Sequence, residues 1–232
     1  MGTNLQQGRV AVIDSNIQKD DPRNLGNIIT DAITMSAAEV LKVDTISEVT
    51  ASGGVTIDGA VIKDSGISTG DTMTPGAGIV AGITTAVNYS IVRTGNVIET
   101  TIYIDLIGLS SATSNKDIIG ATGVSHIGQI TTAINGVIFA GEVHCAVVPT
   151  TGDDDIDLYH ASVGTGAYDA DASALTNAAV LMTSGGAYAI GTVKPLTALP
   201  TANYYLYLAT GDTTAGAYGA GKVIIKLWGL AS

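Results

Sequence analysis

Tyr89 to Leu106, YSIVRTGNVIETTIYIDL, decides the fold class. Two runs rich in β-branched and aromatic residues, Tyr89 to Arg93 and Val97 to Leu106, flank Thr94-Gly95-Asn96, a glycine-containing loop of hairpin length. In the second run Ile98, Thr100, Ile102, Ile104 and Leu106 share one face. Glu99, Thr101, Tyr103 and Asp105 take the other, because successive side chains of a strand point to opposite sides. Working outward, the same pattern predicts strands at Ile127 to Ala133, Val137 to Val148, Ile156 to Ala161, Ala178 to Thr183, Ala187 to Val193, Tyr204 to Ala209 and Lys222 to Trp228. Short strands at this frequency, with polar turns and no convincing helix between them, specify an all-β fold. The expected form is an antiparallel β-sandwich of jelly-roll type over residues 85–232.

Composition points the same way. Only 13% of the 232 residues are charged and 29 are glycine, a balance that favours strands and turns over helices. The formal net charge of −11 argues against a nucleic-acid-binding face, which would need a basic patch to engage phosphates. Mean hydropathy is positive, yet no apolar run approaches the roughly 18 residues that span a bilayer, so protein interfaces account for the apolar excess better than a membrane does. The start, MGTNLQQGRVAVID, has no basic segment followed by an apolar run, and Gln6 stands where a myristoylation signal needs Ser or Thr; cytoplasmic synthesis is expected. Cys145 is the only cysteine and has no intrachain partner.

Ahead of the sandwich two further regions are expected. Residues 1–42 read as an attachment arm. Arg9 to Asp14 is a candidate strand whose Val10, Val12 and Ile13 can add to a neighbouring sheet edge, and Asn27 to Leu41 fits either a helix or a strand. Residues 43–84 read as a connector that ends in a Gly- and Thr-rich hinge from Ser68 to Gly82. Within it Val55-Thr56-Ile57 meets the turn dipeptide Asp58-Gly59 and resumes as Ala60-Val61-Ile62, a small hairpin. Such a ribbon is too small to stand alone in water, so Val55, Ile57, Val61 and Ile62 are expected to pack against neighbouring subunits in a homo-oligomer.

Asp44 to Glu48 (DTISE), Gly54 to Gly59 (GVTIDG) and Lys63-Asp64 together resemble a connector of tailed-bacteriophage virion proteins, which precedes a β-rich terminal domain. Thr101 to Leu109, Asp117 to Gly120, Asp154 to Tyr159 and Tyr205 to Trp228 are similar to the β-sandwich that follows it, so the likeness runs over about residues 43–230. The resemblance implies a non-enzymatic structural protein of the virion surface, of the capsid decoration, cement or head-fibre kind. It also implies a homotrimer that contacts the major capsid protein or another virion protein, and it transfers no catalytic residue. The alternative is a tail-fibre or capsid-borne adhesin that binds host-surface carbohydrate.

Candidate reactive groups are sparse, and no cofactor is expected. Asp153, Asp154, Asp155 and Asp157 form the densest acidic cluster, of which Asp153, Asp155 and Asp157 are calcium candidates, although no EF-hand spacing accompanies them; alternation puts Asp155 and Asp157 on the solvated face of a half-buried strand. His144 and Cys145 are neighbours on a strand and so point apart, which leaves Cys145 a small buried hydrophobe. His126, His144 and His160 have no close ligand pair to anchor zinc. Neither Ser47-Glu48 nor Ser125-His126 sits in a nucleophile elbow. Tyr204, Tyr205 and Tyr207, with Trp228, concentrate the aromatics in an expected terminal hairpin. There Leu206 and Leu208 would face the core, the opposite side would meet water, another subunit or a glycan, and Asp212 to Gly221 would form an exposed loop. Gly166-Ala167-Tyr168, Gly186-Ala187-Tyr188 and Gly216-Ala217-Tyr218 read as turn-to-strand junctions.

Overall fold

A computed structural model of the chain describes residues 72–80 and 87–231. The attachment residues Val10, Val12 and Ile13, the connector residues Val55, Ile57, Val61 and Ile62, and Ser47-Glu48 lie outside the described residues. In chain order the elements are α1 (Ala77–Val80), β1 (Val87–Thr94), β2 (Val97–Asp105), β3 (Ser110–Ser111), β4 (Gly128–Gln129), α2 (Thr132–Asn135), β5 (Val137–Thr150), β6 (Ile156–Ala161), a 3-10 turn (Ala172–Ala174), β7 (Ala179–Met182), β8 (Val193–Pro195), β9 (Tyr205–Thr210), β10 (Gly216–Ala217) and β11 (Ala220–Leu230).

The strands form an all-β, antiparallel sandwich. One sheet runs β1-β2-β11-β5-β8, the other β4-β9-β6-β7, and β3 pairs with β10 as a small third ribbon. Between the two main sheets lies an aliphatic core. Ile102, Ile104, Val143, Cys145, Val223, Ile225 and Leu227 contribute from the five-stranded sheet, and Ile156, Leu158, Leu181, Leu206 and Leu208 from the four-stranded one. The alternation read from Val97 to Leu106 is what builds this layer: Ile98, Ile102 and Ile104 are buried while Tyr103 stands out of the opposite face. Gly95 begins the turn between β1 and β2 with φ 61°, a left-handed value that glycine adopts without steric cost, and Thr94 pairs with Val97 across it.

Several expected elements differ. The run Ile127 to Ala133 is cut to β4 because Thr131 caps a helical turn, its Oγ1 accepting from the Ile134 N–H at 3.2 Å. Gly136 closes that turn at φ 71°; a side chain there would press on the backbone of Leu230. Ala187 to Thr192 belongs to no strand: Tyr188 turns inward, 3% exposed, and β8 starts only at Val193. Thr72 to Val80 is no hinge. Met73 and Ile79 are core residues, and the N–H groups of Gly76 and Gly78 donate to His126 O and Val124 O at 2.8 and 2.6 Å.

The expected terminal hairpin is also replaced. β9 pairs with β4 and β6, whereas β11 lies in the other sheet between β2 and β5. The link between them is exposed at Asp212 to Ala215, but then contributes β10 and buries Tyr218. Two of the three Gly-Ala-Tyr triplets thus serve as plugs. Tyr218 Oη donates to Asp153 O at 2.9 Å, and the Tyr188 hydroxyl lies 3.9 Å from Met182 Sδ.

Candidate interaction face

The two sheets differ in what covers their outer faces. Behind the four-stranded sheet Ile118, Tyr159, Ala161, Ala172, Tyr207 and Ala209 form a second apolar cluster, packed over by Val163, Ala170, Leu175 and Ala178. Tyr207 is fully buried there: its hydroxyl donates to Val163 O at 2.7 Å and accepts from the Gly166 N–H at 3.2 Å. The tyrosine face of β9, expected to meet water or another subunit, is therefore covered by the chain's own loops, while Leu206 and Leu208 face the main core as expected. For the same reason every residue of β6 is buried, where a half-buried strand was expected.

Among the described residues, no such layer covers the outer face of the five-stranded sheet. Strand register sets its rows: Asn88, Tyr103, Ile224, His144 and Val193; then Ser90, Thr101, Lys226, Glu142 and Pro195; then Val92, Glu99, Trp228 and Ala140; then Thr94, Val97, Leu230 and Val137. Phe139 is an extra residue at a bulge, since the partners of Trp228 and Gly229 on β5 are Ala140 and Ile138. On these strands Val97, Tyr103, Val137, Phe139, Val147, Val193 and Leu230 are 37 to 55% exposed. The charges that interrupt them are paired within the face. Lys222 Nζ lies 3.5 Å from Asp105, Lys226 Nζ lies 3.8 Å from Glu99, His144 Nε2 lies 2.6 Å from Glu142, and Trp228 Nε1 donates to Glu99 at 3.2 Å. A recess of about 240 Å³ opens beside Tyr103, between Ala146 and Ile224.

Charge is segregated between this sheet and the rest of the described residues. On its outer face Lys222 and Lys226 stand against three carboxylates, Glu99, Asp105 and Glu142, while Arg93 and Lys194 hold register positions of the opposite side, across from Ile98 and Val143. Elsewhere Lys116 is the single cation against Asp117, Asp153, Asp154, Asp155, Asp157, Asp169, Asp171 and Asp212. The bare face is thus close to neutral on a strongly acidic molecule.

The calcium candidates have other duties. Asp153 is fully buried; its carboxylate accepts from the Asp155 and Asp212 N–H groups at 2.9 and 3.0 Å, and burial raises its pKa despite those donors. Asp157 accepts from the Ser184 N–H at 2.8 Å, and burial, opposed by that bond and reinforced by Asp155 and Asp153, pushes its pKa up to about 6. Asp155 Oδ1 is buried without a partner. Among the described residues no three His, Cys, Asp or Glu side chains converge to hold a metal ion.

The histidines have separate surroundings. His126 packs edge-on against Tyr205, ring centroids 4.9 Å apart, with its Nδ1 buried and unpartnered; His160 Nδ1 accepts from the Thr201 N–H at 3.2 Å beside Tyr204. Burial lowers the pKa of both rings. Cys145 points into the core, away from His144, and burial raises its thiol pKa. Ser125 Oγ, fully buried, donates to Gly123 O at 3.1 Å. A second recess, about 330 Å³, lies between His126, Tyr205, Gln129, Thr131 and Thr72 to Pro75.

Tyr103 was already placed on the outer face of its strand by the sequence, but the wider patch was missed. Its signal was present in Lys222 to Leu230, KVIIKLWGL, where Lys222, Ile224, Lys226, Trp228 and Leu230 alternate with core residues. No protein-family model, curated protein or solved structure matches this chain.

Proposed function

We propose that this chain is a non-enzymatic structural protein of a bacteriophage particle surface, of the capsid decoration, cement or head-fibre kind. The observation that carries the reading is the division of labour within the sandwich. Groups with reactive potential, Asp153, Asp157, Ser125 and Cys145, are buried in structural roles, while an apolar, nearly neutral sheet face is left open for protein contact. The resemblance of Asp44 to Asp64 to a virion connector supports the same reading, as do Val55, Ile57, Val61 and Ile62, whose sequence pattern is that of a small hairpin expected to pack against neighbouring subunits. In this reading copies assemble as a homotrimer, residues 1–42 engage the major capsid protein or another virion protein, and the sandwich projects from the surface.

The second reading, an adhesin for host-surface carbohydrate, is favoured by the recess beside His126. It offers an aromatic wall from Tyr205 with the amide of Gln129 and the hydroxyl of Thr131, the mix of ring and polar groups that holds a sugar. Immunogold labelling of purified particles tests both. Label spread over the head supports decoration, label confined to the tail end supports the adhesin, and particles free of the protein overturn both.

A further inference from the structure

We infer that the bare outer face of the five-stranded sheet packs against a second copy of this chain. The inference takes from the proposed function only that copies assemble, and it assigns a surface at which two copies pair face to face, a two-fold contact separate from the trimeric one expected of residues 43–84.

The strongest part of the face is one end, where Val97, Leu230 and Val137 are direct cross-strand neighbours, Trp228 lies in the next row and Phe139 stands at the bulge between them. Monomeric proteins rarely leave apolar side chains contiguous in this way. The fold covers the corresponding face of its other sheet with its own loops, so the exposure is a property of this sheet and not of the sandwich as a whole.

Charge selects the occupant. Two chains of net charge −11 repel over most of their surfaces, and this sheet is where cations offset carboxylates. Contact between two such faces brings near-neutral surfaces together and leaves the acidic loops in solvent. It leaves neither lysine without a counter-charge, because Lys222 and Lys226 already have Asp105 and Glu99 beside them within each copy, and Glu142 keeps its contact with His144 Nε2.

Size is sufficient. Four long strands at a spacing of about 4.8 Å, each presenting about nine residues at roughly 3.4 Å, give a face of about 19 by 30 Å. That is roughly 600 Å² per copy and about 1,200 Å² for a pair, above the roughly 1,000 Å² that a specific interface requires. The recess beside Tyr103 provides relief into which an opposing side chain fits.

Sedimentation equilibrium of the full chain tests the assignment, with Phe139→Glu and, separately, Leu230→Glu as probes. Both positions are about half exposed, so either variant keeps its core, which thermal unfolding checks. Ile190→Glu is the control, since Ile190 is 74% exposed in the loop before β8. The wild type is expected to associate at micromolar concentration, each face variant to weaken association by roughly 30-fold or more, as for loss of a central interface residue, and the control to leave it unchanged. A monomeric wild type overturns the inference. So does undiminished assembly of a folded face variant, which would place the contact elsewhere, for instance in the segment Val55 to Ile62. Equal loss in the Ile190→Glu control also overturns it. None of these results depends on whether the protein is found on a particle, so this surface and the proposed function fail separately.

Discussion

Replacing Asp157 with asparagine should stabilise the protein at neutral pH and not in acid. The side chain is 6% exposed in β6, where its Oδ1 accepts the Ser184 N–H at 2.8 Å. Burial is the largest influence on its ionisation, with Asp155 and Asp153 adding to it, and together they raise the pKa from 3.8 to about 6. The folded state therefore holds this proton more tightly than the unfolded chain does. Stability from this group is fully present below about pH 4, falls as pH rises through the folded pKa near 6, and is constant above it. A shift of about 2 units corresponds to about 3 kcal/mol.

Asparagine retains a carbonyl oxygen for Ser184 at nearly the same volume and carries no charge at any pH. Urea unfolding of both proteins between acid and neutral pH gives the comparison, and contributions from Asp153 and the other carboxylates largely cancel in the difference. The variant's advantage over wild type should grow by about 3 kcal/mol from below pH 4 to pH 7, with most of the change between pH 4 and 6. A difference that stays flat with pH, or one that shrinks as pH rises, would refute the view that Asp157 is held against ionisation by its burial.

Other expectations follow from packing. Leu206, fully buried in the main core, should cost about 2 to 5 kcal/mol when cut to alanine, whereas Thr213→Ala and Thr214→Ala in the exposed link should each change stability by less than about 0.5 kcal/mol; equal effects in thermal unfolding would reverse the placement of β9. Gly152→Ala puts a methyl group 2.6 Å from the Tyr218 ring, and the resulting overpacking should cost about 1 to 3 kcal/mol, seen as a lowered Tm.

How much of this was legible in the sequence depended on whether the signal was local. The β1–β2 hairpin could be read because Ile98, Thr100, Ile102 and Ile104 alternate with polar partners across a turn that Gly95 makes cheap, and every term in that reading lies within 18 consecutive residues. β6 was placed with its observed limits, yet its environment was misread. Asp155 and Asp157 mark their side of the strand as solvated, and only loops well outside it, carrying Ile118 and Ala172, turn the side of Tyr159 and Ala161 into a second core. Ala187 to Val193 has apolar spacing compatible with a strand, but Tyr188 is drawn inward and its N–H donates to Asp154 O, 34 residues earlier. The supposed terminal hairpin failed for a related reason. Proximity in sequence argues for pairing, while β9 finds β6 and β11 finds β2 and β5, partners that no local pattern names.

The same distinction explains why the candidate face was harder to see than the fold. Alternation divides Lys222 to Leu230 into two sets, but it does not say whether the outward set meets a loop, water or another protein. That depends on where the connecting chain goes. Between β6 and β7 the segment that carries Val163, Ala170, Ala172, Leu175 and Ala178 folds back over the four-stranded sheet and, with Ile118, buries Tyr159 and Tyr207. Around β1, β2 and β11 the connections are a tight turn at Gly95 and a strand that runs directly to Leu230, so no described segment is positioned to cover Val97, Phe139 or Trp228. Placing the few cations of the domain on this sheet, each of Lys222 and Lys226 beside a carboxylate, lets it stay soluble while uncovered and still meet an equally acidic neighbour without repulsion. A face meant only for water would need neither Trp228 nor the Val97–Leu230–Val137 row; a face meant for the chain's own loops would not need paired lysines. Trp228 and that row are thus the part of the face that carries the inferred contact with a second copy, and the paired charges form its polar surround.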